Sequence, residues 1–244
     1  MLTTVTEAWH TLAPPAGDRH GPLSTLLLAL TVVTGLVDSF SYLVLGHVFV
    51  ANMTGNVVFL ALALAGAKGF SVGVHVVALA SFSLGAVASG RLVTRIGERR
   101  GRVLAVAAAC ESALVATAWA IGVGAGNPGS GVSRYLLVVL LAVTGGLQTG
   151  TARWLAVPDL ITTVLTRTIA GAGFDSRLAG GSDSHVGRRG LMVAAMFGGA
   201  LVGAALVLHV SRSLALLAPL GLLVVVMLTL GRQRRTRPAW DRPG

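Results

Sequence analysis

Residues 33–58, VTGLVDSFSYLVLGHVFVANMTGNVV, begin inside a long apolar run and interrupt it twice. The first interruption is Asp38, a carboxyl group about one helical turn beyond the middle of the run. The second is the polar cluster of Asn52, Thr54 and Asn56. A charged side chain well inside a membrane span costs about 2.5–3.5 kcal/mol on insertion scales, so it requires a partner or a cavity. The stretch therefore indicates a membrane helix that carries an acid and is followed by a short, broken segment.

The composition extends this interpretation to the whole chain of 244 residues, of which 54% are hydrophobic and 11% charged, with a mean hydropathy of +0.78. Soluble domains carry about 25% charged residues. The net charge of +10 comes from Arg clusters between apolar runs, where membrane proteins contact anionic lipid head groups. We therefore expect an all-α integral membrane protein whose partner is the lipid bilayer, with no nucleic acid. Cys110, within an apolar run, is expected to be a small core residue.

Six of the apolar segments are long enough to cross a bilayer and two are not. The segments 53–67 and 156–172 begin at polar or helix-breaking residues, and at 1.5 Å per residue their apolar parts fall short of a core about 30 Å thick. The sequence thus predicts six transmembrane helices plus two short broken or re-entrant segments. The six longer segments are 22–45, 70–92, 103–123, 135–152, 191–210 and 214–230.

The distribution of Lys and Arg supports this count. With six crossings, 16 basic residues fall on one side of the membrane and 3 on the other, and cytoplasmic loops are the basic ones. We therefore expect a bacterial inner-membrane protein with both termini in the cytoplasm. It comprises a polar tail over 1–21, one transmembrane domain over 22–230 and a basic tail over 231–244.

The two broken segments occupy corresponding places in two halves of the chain, about 22–123 and 135–230. Val33-Thr34-Gly35 aligns with Val143-Thr144-Gly145, 52–58 aligns with 159–165, and 85–89 aligns with 199–203. Their common order is informative although each match is short. Three crossings per half place the second half upside down relative to the first, so we predict a 3+3 inverted repeat, as in many secondary transporters.

The run Gly35–Tyr42, followed by Ala51-Asn52-Met53-Thr54-Gly55-Asn56, resembles the YoaK family of bacterial membrane proteins. Gly146-Leu147-Gln148 followed by Val157-Pro158-Asp159-Leu160 carries the same resemblance, which covers about 22–230. It implies a polytopic inner-membrane protein that contains a domain of unknown function. It implies no substrate and no reaction.

Polar groups beside interrupted backbone are the candidate ligands for a small solute or ion, because such backbone at membrane depth lines cavities or is buried in protein. Glu111, near the middle of a span, is a coupling or a structural carboxylate. Partners for the two intramembrane acids are expected on other helices, at His75, Arg153 or Arg167. Asn52, Thr54 and Asp159 are also candidate helix caps. The candidate binding residues are Asp38, Asn52, Thr54, Asn56, Gln148, Asp159, Thr162 and Thr163.

Three functions remain open. The first is a small secondary transporter or channel-like protein with Asp38 as coupling carboxylate. The second is a non-transporting scaffold or regulator in which the polar groups only hold the bundle together. The third is an intramembrane hydrolase that pairs Asp38 with Asp159. Because no Walker loop, zinc spacing or nucleophile elbow is present in the sequence, we expect no enzyme, no cofactor and no metal.

Overall fold

The computed structural model describes residues 2–15, 18, 20–97, 99–157, 165–176, 179–181, 186–233 and 239–241, and within these ranges it contains helices and no strand. Short 3-10 turns at Leu214–Leu216 and Ala239–Asp241 accompany the α-helices. The α-helices are α1 (Leu2–Leu12), α2 (Leu23–Val44), α3 (Met53–Leu64), α4 (Val72–Ile96), α5 (Arg100–Gly124), α6 (Gly131–Leu155), α7 (Leu165–Phe174), α8 (Val186–His209) and α9 (Leu217–Gln233).

Six of these helices are long and apolar enough to cross a membrane: α2, α4, α5, α6, α8 and the helical stretch Leu214–Gly231 that contains most of α9. This confirms the prediction of an all-α protein with six transmembrane helices. The central one is α2, in which 78% of the span is buried by the rest of the protein. A polar group on α2 therefore lies inside the bundle and not against lipid.

Each of the two segments predicted to be short contains a short helix among its described residues. α3 has 12 residues and α7 has 10, so each helix is about 15–18 Å long, which is less than the thickness of the hydrocarbon core. α3 packs against α4, and α7 packs against α8. The sequence relates the segments 53–67 and 156–172 through the predicted inverted repeat. Residues 158–164 of the second segment lie outside the described residues, and α3 and α7 each pack against a different helix.

The N-terminal tail contains a helix that the sequence analysis did not predict. α1 ends before Pro14 and packs against α8. Its C-terminal carbonyl groups are held by α2, because the hydroxyl of Thr25 lies 3.1 Å from the carbonyl oxygen of Thr11 and 2.9 Å from that of Leu12. α1 is thus fixed to the start of the first membrane helix.

The two most extensive helix interfaces, α4 with α6 and α2 with α8, use glycine in the same way. Gly85 of α4 lies against the carbonyl group of Val143, and Gly199 of α8 lies against that of Val32. A Cβ atom at either glycine would collide with that carbonyl group, so these interfaces require glycine. Small residues of this kind allow two membrane helices to approach closely.

The partner helix of each pair contributes a second glycine, which contacts a carbonyl group of the first helix in return. Gly146 of α6 lies against the carbonyl group of Phe82, and Gly35 of α2 lies against that of Met196. Gly146, not Gly145, therefore occupies in α6 the position that Gly35 occupies in α2. The sequence alignment matched Gly35 with Gly145, one residue from the glycine that makes the corresponding contact, because two adjacent glycines make both registers possible.

A third matched contact lies one turn further along both interfaces. Gly150 of α6 faces the hydroxyl of Ser89 on α4, and Gly203 of α8 faces the hydroxyl of Ser39 on α2. Serine and glycine have exchanged places between the two interfaces.

The expectation that Cys110 is a small core residue is wrong, because its side chain is exposed on the outside of α5.

Candidate functional site

Asp38 holds an irregular stretch of backbone inside the bundle. α2 ends at Val44, and the next residues turn through Gly46 and His47, with φ angles of 87° and 59°. The chain then returns into the bundle, and Asp38 Oδ1 accepts hydrogen bonds from the backbone N–H groups of Val50 at 2.9 Å and Ala51 at 3.0 Å. We refer to residues 45–52, between α2 and α3, as the broken segment.

The second oxygen of Asp38 is not used in this way. Oδ2 is fully buried and has no hydrogen-bond partner among the described residues. The expectation of a basic partner at His75, Arg153 or Arg167 is wrong for Asp38, because its partners are backbone N–H groups 12 and 13 residues further along the chain. One carboxyl oxygen thus binds the backbone of residues 50 and 51, while the other makes no hydrogen bond to any described residue.

Asn56 completes the support of the broken segment. Its Oδ1 accepts a hydrogen bond from the N–H of Phe49 at 2.9 Å, and its Nδ2 donates to the carbonyl oxygen of Phe49 at 2.5 Å. The amide therefore pairs with both backbone groups of one residue, as a neighbouring strand would. Since unpaired backbone groups are costly at membrane depth, Asp38 and Asn56 together allow the chain to leave the helical conformation inside the bundle.

The contact between α2 and α6 is polar. Gln148 Nε2 donates a hydrogen bond of 2.7 Å to the hydroxyl of Thr34 and one of 3.0 Å to the carbonyl oxygen of Leu30. One turn beyond Thr34 on the same face of α2 lies Asp38, and Gly145 of α6 lies against the carbonyl group of Val50. We call this contact, defined by Thr34, Asp38, Gly145 and Gln148, the α2–α6 seam.

An arginine lies at each end of the seam, where it binds the backbone carbonyl groups at the end of a helix. At one end, Arg134 of α6 donates to the carbonyl oxygens of Leu45 at 2.6 Å and Gly46 at 3.5 Å. At the other end, Arg100 of α5 donates to the carbonyl oxygen of Leu155, the last residue of α6. We call these the Arg134 end and the Arg100 end. Each arginine neutralises the negative end of a helix dipole.

Aromatic rings cover the broken segment towards the Arg134 end. The ring of Tyr42 lies 5.2 Å from that of Phe49, and the ring of Phe59 lies 5.8 Å from that of His75. His75 is completely buried, and neither of its ring nitrogens has a hydrogen-bond partner in the described part of the chain. The full cluster consists of Tyr42, His47, Phe49, Phe59, Phe70 and His75.

Glu111 lies apart from the seam. It is almost completely buried on α5, which packs mainly against α6 and α9, and its Oε2 has no hydrogen-bond partner within the described residues. The structure does not pair it with Arg153 or Arg167, whose side chains are both exposed. Glu111 is thus a buried acid of the bundle that does not belong to the seam.

The comparison with known proteins assigns the chain to a family. The family described as "Protein of unknown function (DUF1275)" matches residues 26–229, which include all six long helices almost entirely. The chain belongs to the DUF1275 family. It is also 33% identical over 147 residues to the UPF0700 transmembrane protein YoaK of Bacillus subtilis (strain 168). That alignment covers 60% of this chain and 64% of the relative, less than two thirds of its length. No solved structure matches the chain.

These matches confirm the resemblance to the YoaK family and establish a multi-pass membrane protein. Within the region that DUF1275 covers, the structure brings Asp38, Asn56 and Gln148 to the broken segment and the seam. Asn52 and Thr54 are exposed, and Asn52 occupies the N-cap position of α3 without a side-chain capping bond. Asp159, Thr162 and Thr163 lie outside the described residues.

Sequence reasoning missed Thr34, Arg100 and Arg134 as members of the site. A hydroxyl in the middle of an apolar helix and an arginine at a helix end are common in membrane proteins, so neither is distinctive alone. Their significance is apparent only when α2 and α6 are seen to cross. The one available signal was that Arg134 is among the 3 basic residues on the less basic side.

Proposed function

We propose that this DUF1275 protein is a proton-coupled secondary transporter of a small solute, in which Asp38 carries the proton. The observation that supports the proposal is the divided use of this carboxyl group. Oδ1 holds the N–H groups of Val50 and Ala51, whereas Oδ2 is buried without a partner. Because a bare carboxylate oxygen is costly in a medium of low dielectric, Oδ2 binds a proton while the seam is closed and releases it when the seam opens to water.

We propose further that the two halves are related as an inverted repeat. The support is the set of matched contacts across the two main interfaces. Gly85 of α4 packs on α6 as Gly199 of α8 packs on α2, and Gly146 and Gly35 return the contact in each pair. Inverted repeats place substrate sites near the midplane, at the interface between repeats. Here that interface contains the α2–α6 seam.

The packing also suggests which parts move. The pairs α2 with α8 and α4 with α6 are joined by glycine contacts at several turns, whereas far fewer residues of α2 and α6 contact each other. In the proposed mechanism each pair moves as a rigid unit, and the seam between them opens at one end at a time. Arg134 and Arg100 bind helix ends at the two ends of the seam, so they act as its gates. Such rocking of one unit against another is the common form of alternating access.

The orientation follows from charge. With the Arg100 end in the cytoplasm of a bacterial cell, 16 of the Lys and Arg residues lie on that side and 3 lie outside, in agreement with the positive-inside rule. The Arg clusters of this end, such as Arg99 and Arg102, bind anionic lipid head groups in this proposal. The protein acts without a cofactor and is not an enzyme.

The test is proton flux in proteoliposomes that contain a pH-sensitive dye. A membrane potential is imposed, and amino acids, sugars, organic acids and organic cations are added in turn. We expect at least one class of solute to drive proton movement, and Asp38→Asn to reduce it to the level of protein-free liposomes. Glu7→Gln, which makes the same change on α1, is the matched control and should retain the flux. An unchanged flux in Asp38→Asn, or no solute-driven flux in the wild type, contradicts the proposal.

A second candidate function is a scaffold or regulator that transports nothing. The observation that favours it is that Asp38 Oδ1 and the amide of Asn56 support the backbone of Phe49, Val50 and Ala51, a structural role that requires no transport. Under this alternative, Asp38→Asn leaves every measured property close to wild type and no solute drives proton flux.

A further inference from the structure

The C-terminal segment Ala239–Asp241 returns to the Arg100 end of the bundle. Asp241 Oδ1 accepts a hydrogen bond of 2.7 Å from the backbone N–H of Gly101, in the first turn of α5. The indole ring of Trp240 lies against Gly101 and against Gly21, just before the start of α2. The last described residues of the chain are therefore docked where the first and third membrane helices begin.

This docking is specific because it depends on two glycines. Gly21 has a φ angle of 50°, and a Cβ atom there would collide with the Trp240 ring. A Cβ atom at Gly101 would lie 3.0 Å from both the Trp240 ring and Asp241 Oδ1. A larger residue at either position would therefore push the ring out of its slot.

Asp241 also provides α5 with a cap that its own sequence lacks. The N-cap residue, Arg99, makes no side-chain hydrogen bond to the helix, and the first N–H groups of a helix have no partner within it. A carboxylate at this position binds one of those N–H groups and lies at the positive end of the helix dipole. The terminal segment and α5 thus stabilise each other.

The docked segment adjoins the gate at the Arg100 end. Arg100, next to Gly101, donates to the carbonyl oxygen of Leu155 and lies 3.4 Å from the ring nitrogen Nδ1 of His20. His20 in turn precedes Gly21, on which Trp240 packs. Arg100 therefore connects the residues before α2, the start of α5 and the end of α6. The C-terminal segment contacts the first two of these three places.

We propose that Trp240 and Asp241 form an autoinhibitory lock that keeps the Arg100 end of the seam closed. This inference rests on the proposed function, because a lock matters only if the seam opens. Opening at this end moves the start of α2 relative to α5 and α6, which separates Gly21 from Gly101. Trp240 contacts both glycines, so the docked segment opposes that movement, and its release permits it.

The test measures access to the seam directly. Ala152 is buried on α6, one turn beyond Gln148 towards Leu155, so it lies on the face that meets α2. In a Cys110→Ser background, Ala152→Cys is labelled from the cytoplasmic side with a charged thiol reagent that does not cross membranes. We expect Trp240→Ala and Asp241→Ala each to raise the labelling rate about tenfold, which corresponds to about 1.4 kcal/mol in the opening equilibrium.

Two further variants test the contact between the C-terminal segment and α5. Gly101→Val crowds the slot without altering the C-terminal segment and should also raise the rate. Asp241→Asn keeps an oxygen for the Gly101 N–H and should label within about twofold of wild type. An unchanged rate in both Trp240→Ala and Gly101→Val overturns the lock.

A control at the opposite end separates release of the lock from general loosening. Ser41→Cys, buried on α2 towards the Arg134 end, should label equally slowly with and without Trp240. If both cysteines become reactive together, the C-terminal segment merely stabilises the bundle and the proposal is wrong. The labelling experiment requires no solute, so its outcome does not depend on the proton-flux experiment. A failure of the proton-flux experiment would refute transport, whereas only the labelling rates decide whether the C-terminal segment closes the seam.

Discussion

Asp38 Oδ1 lies 3.0 Å from the backbone nitrogen of Ala51, and this hydrogen bond joins an intramembrane acid to the broken segment that follows its own helix. Together with the bond to Val50, it accounts for two N–H groups that would otherwise be buried without an acceptor. The same carboxyl group retains a buried oxygen with no partner among the described residues. Its structural role and the proposed proton-carrying role therefore belong to different oxygen atoms, and substitutions can separate them.

We predict that Asp38→Ala destabilises the protein and Asp38→Asn does not. Alanine leaves the N–H groups of Val50 and Ala51 without an acceptor, at about 1–3 kcal/mol each, so the loss should be about 2–6 kcal/mol. Asparagine keeps the acceptor oxygen and should remain within about 1 kcal/mol of wild type. Reversible unfolding in detergent measures both values. If Asp38→Asn is as unstable as Asp38→Ala, the negative charge is itself required for folding, and the proton-carrying role is excluded.

The second prediction compares two asparagines four residues apart. Asn56→Ala removes both hydrogen bonds to the backbone of Phe49 and should cost about 2–4 kcal/mol, because a part-buried N–H and a part-buried carbonyl group lose their partner. Asn52→Ala changes an exposed side chain that makes no capping bond and should stay within about 0.5 kcal/mol. The same unfolding measurement applies. Equal losses at the two positions would show that Asn56 does not support the broken segment.

The extent of sequence-based prediction differs between the helices and the site. Apolar length and Arg distribution identify six crossings correctly, because both are properties of consecutive residues. The geometry of the seam is not of this kind. Asp38 is recognisable as an intramembrane acid, yet its partners, Val50 and Ala51, contribute only backbone N–H groups, for which no side-chain pattern exists. A basic partner was the natural expectation and was wrong.

The docking of the C-terminal segment on α5 could not be predicted from the sequence either. Trp240 and Asp241 lie in a basic tail, and only the folded chain brings them to Gly21 and Gly101. α1 was missed for a related reason, since its C-terminal carbonyl groups are held by Thr25 on another helix. The alignment of the two halves matched Gly35 with Gly145, although Gly146 makes the corresponding contact. Two adjacent glycines fit the pattern equally, and only packing against Phe82 distinguishes them.

A third prediction concerns the orientation in the membrane. In a Cys110→Ser background, single cysteines at Arg102 and Ala179 should react with an impermeant thiol reagent only from the cytoplasmic side, and a cysteine at Asn127 only from outside. All three positions are exposed. Arg102 lies at the start of α5 and Asn127 follows its end, so they must label from opposite sides if α5 crosses. If Arg102 and Ala179 were labelled from opposite sides, the chain would have to cross the membrane once more between the end of α6 and Ala179. That result would contradict the six-crossing topology.

The last prediction tests the matched interfaces with two adjacent glycines on α8. Gly199 lies against the carbonyl group of Val32, so Gly199→Ala must push α8 away from α2 and should cost about 1–3 kcal/mol. At Gly198 a Cβ atom meets nothing within 4 Å, so Gly198→Ala should be neutral or stabilise the helix by up to about 1 kcal/mol. The two variants add the same methyl group to the same helix.

If the halves are related as an inverted repeat, Gly85→Ala on α4 should reproduce the loss seen in Gly199→Ala, because it collides with Val143 as Gly199 collides with Val32. Unfolding free energies in one detergent allow the three variants to be compared directly. A loss in Gly199→Ala without one in Gly85→Ala would mean that the interfaces are not equivalent. The two helix pairs could not then be treated as matched rigid units, and alternating access would need a different moving part.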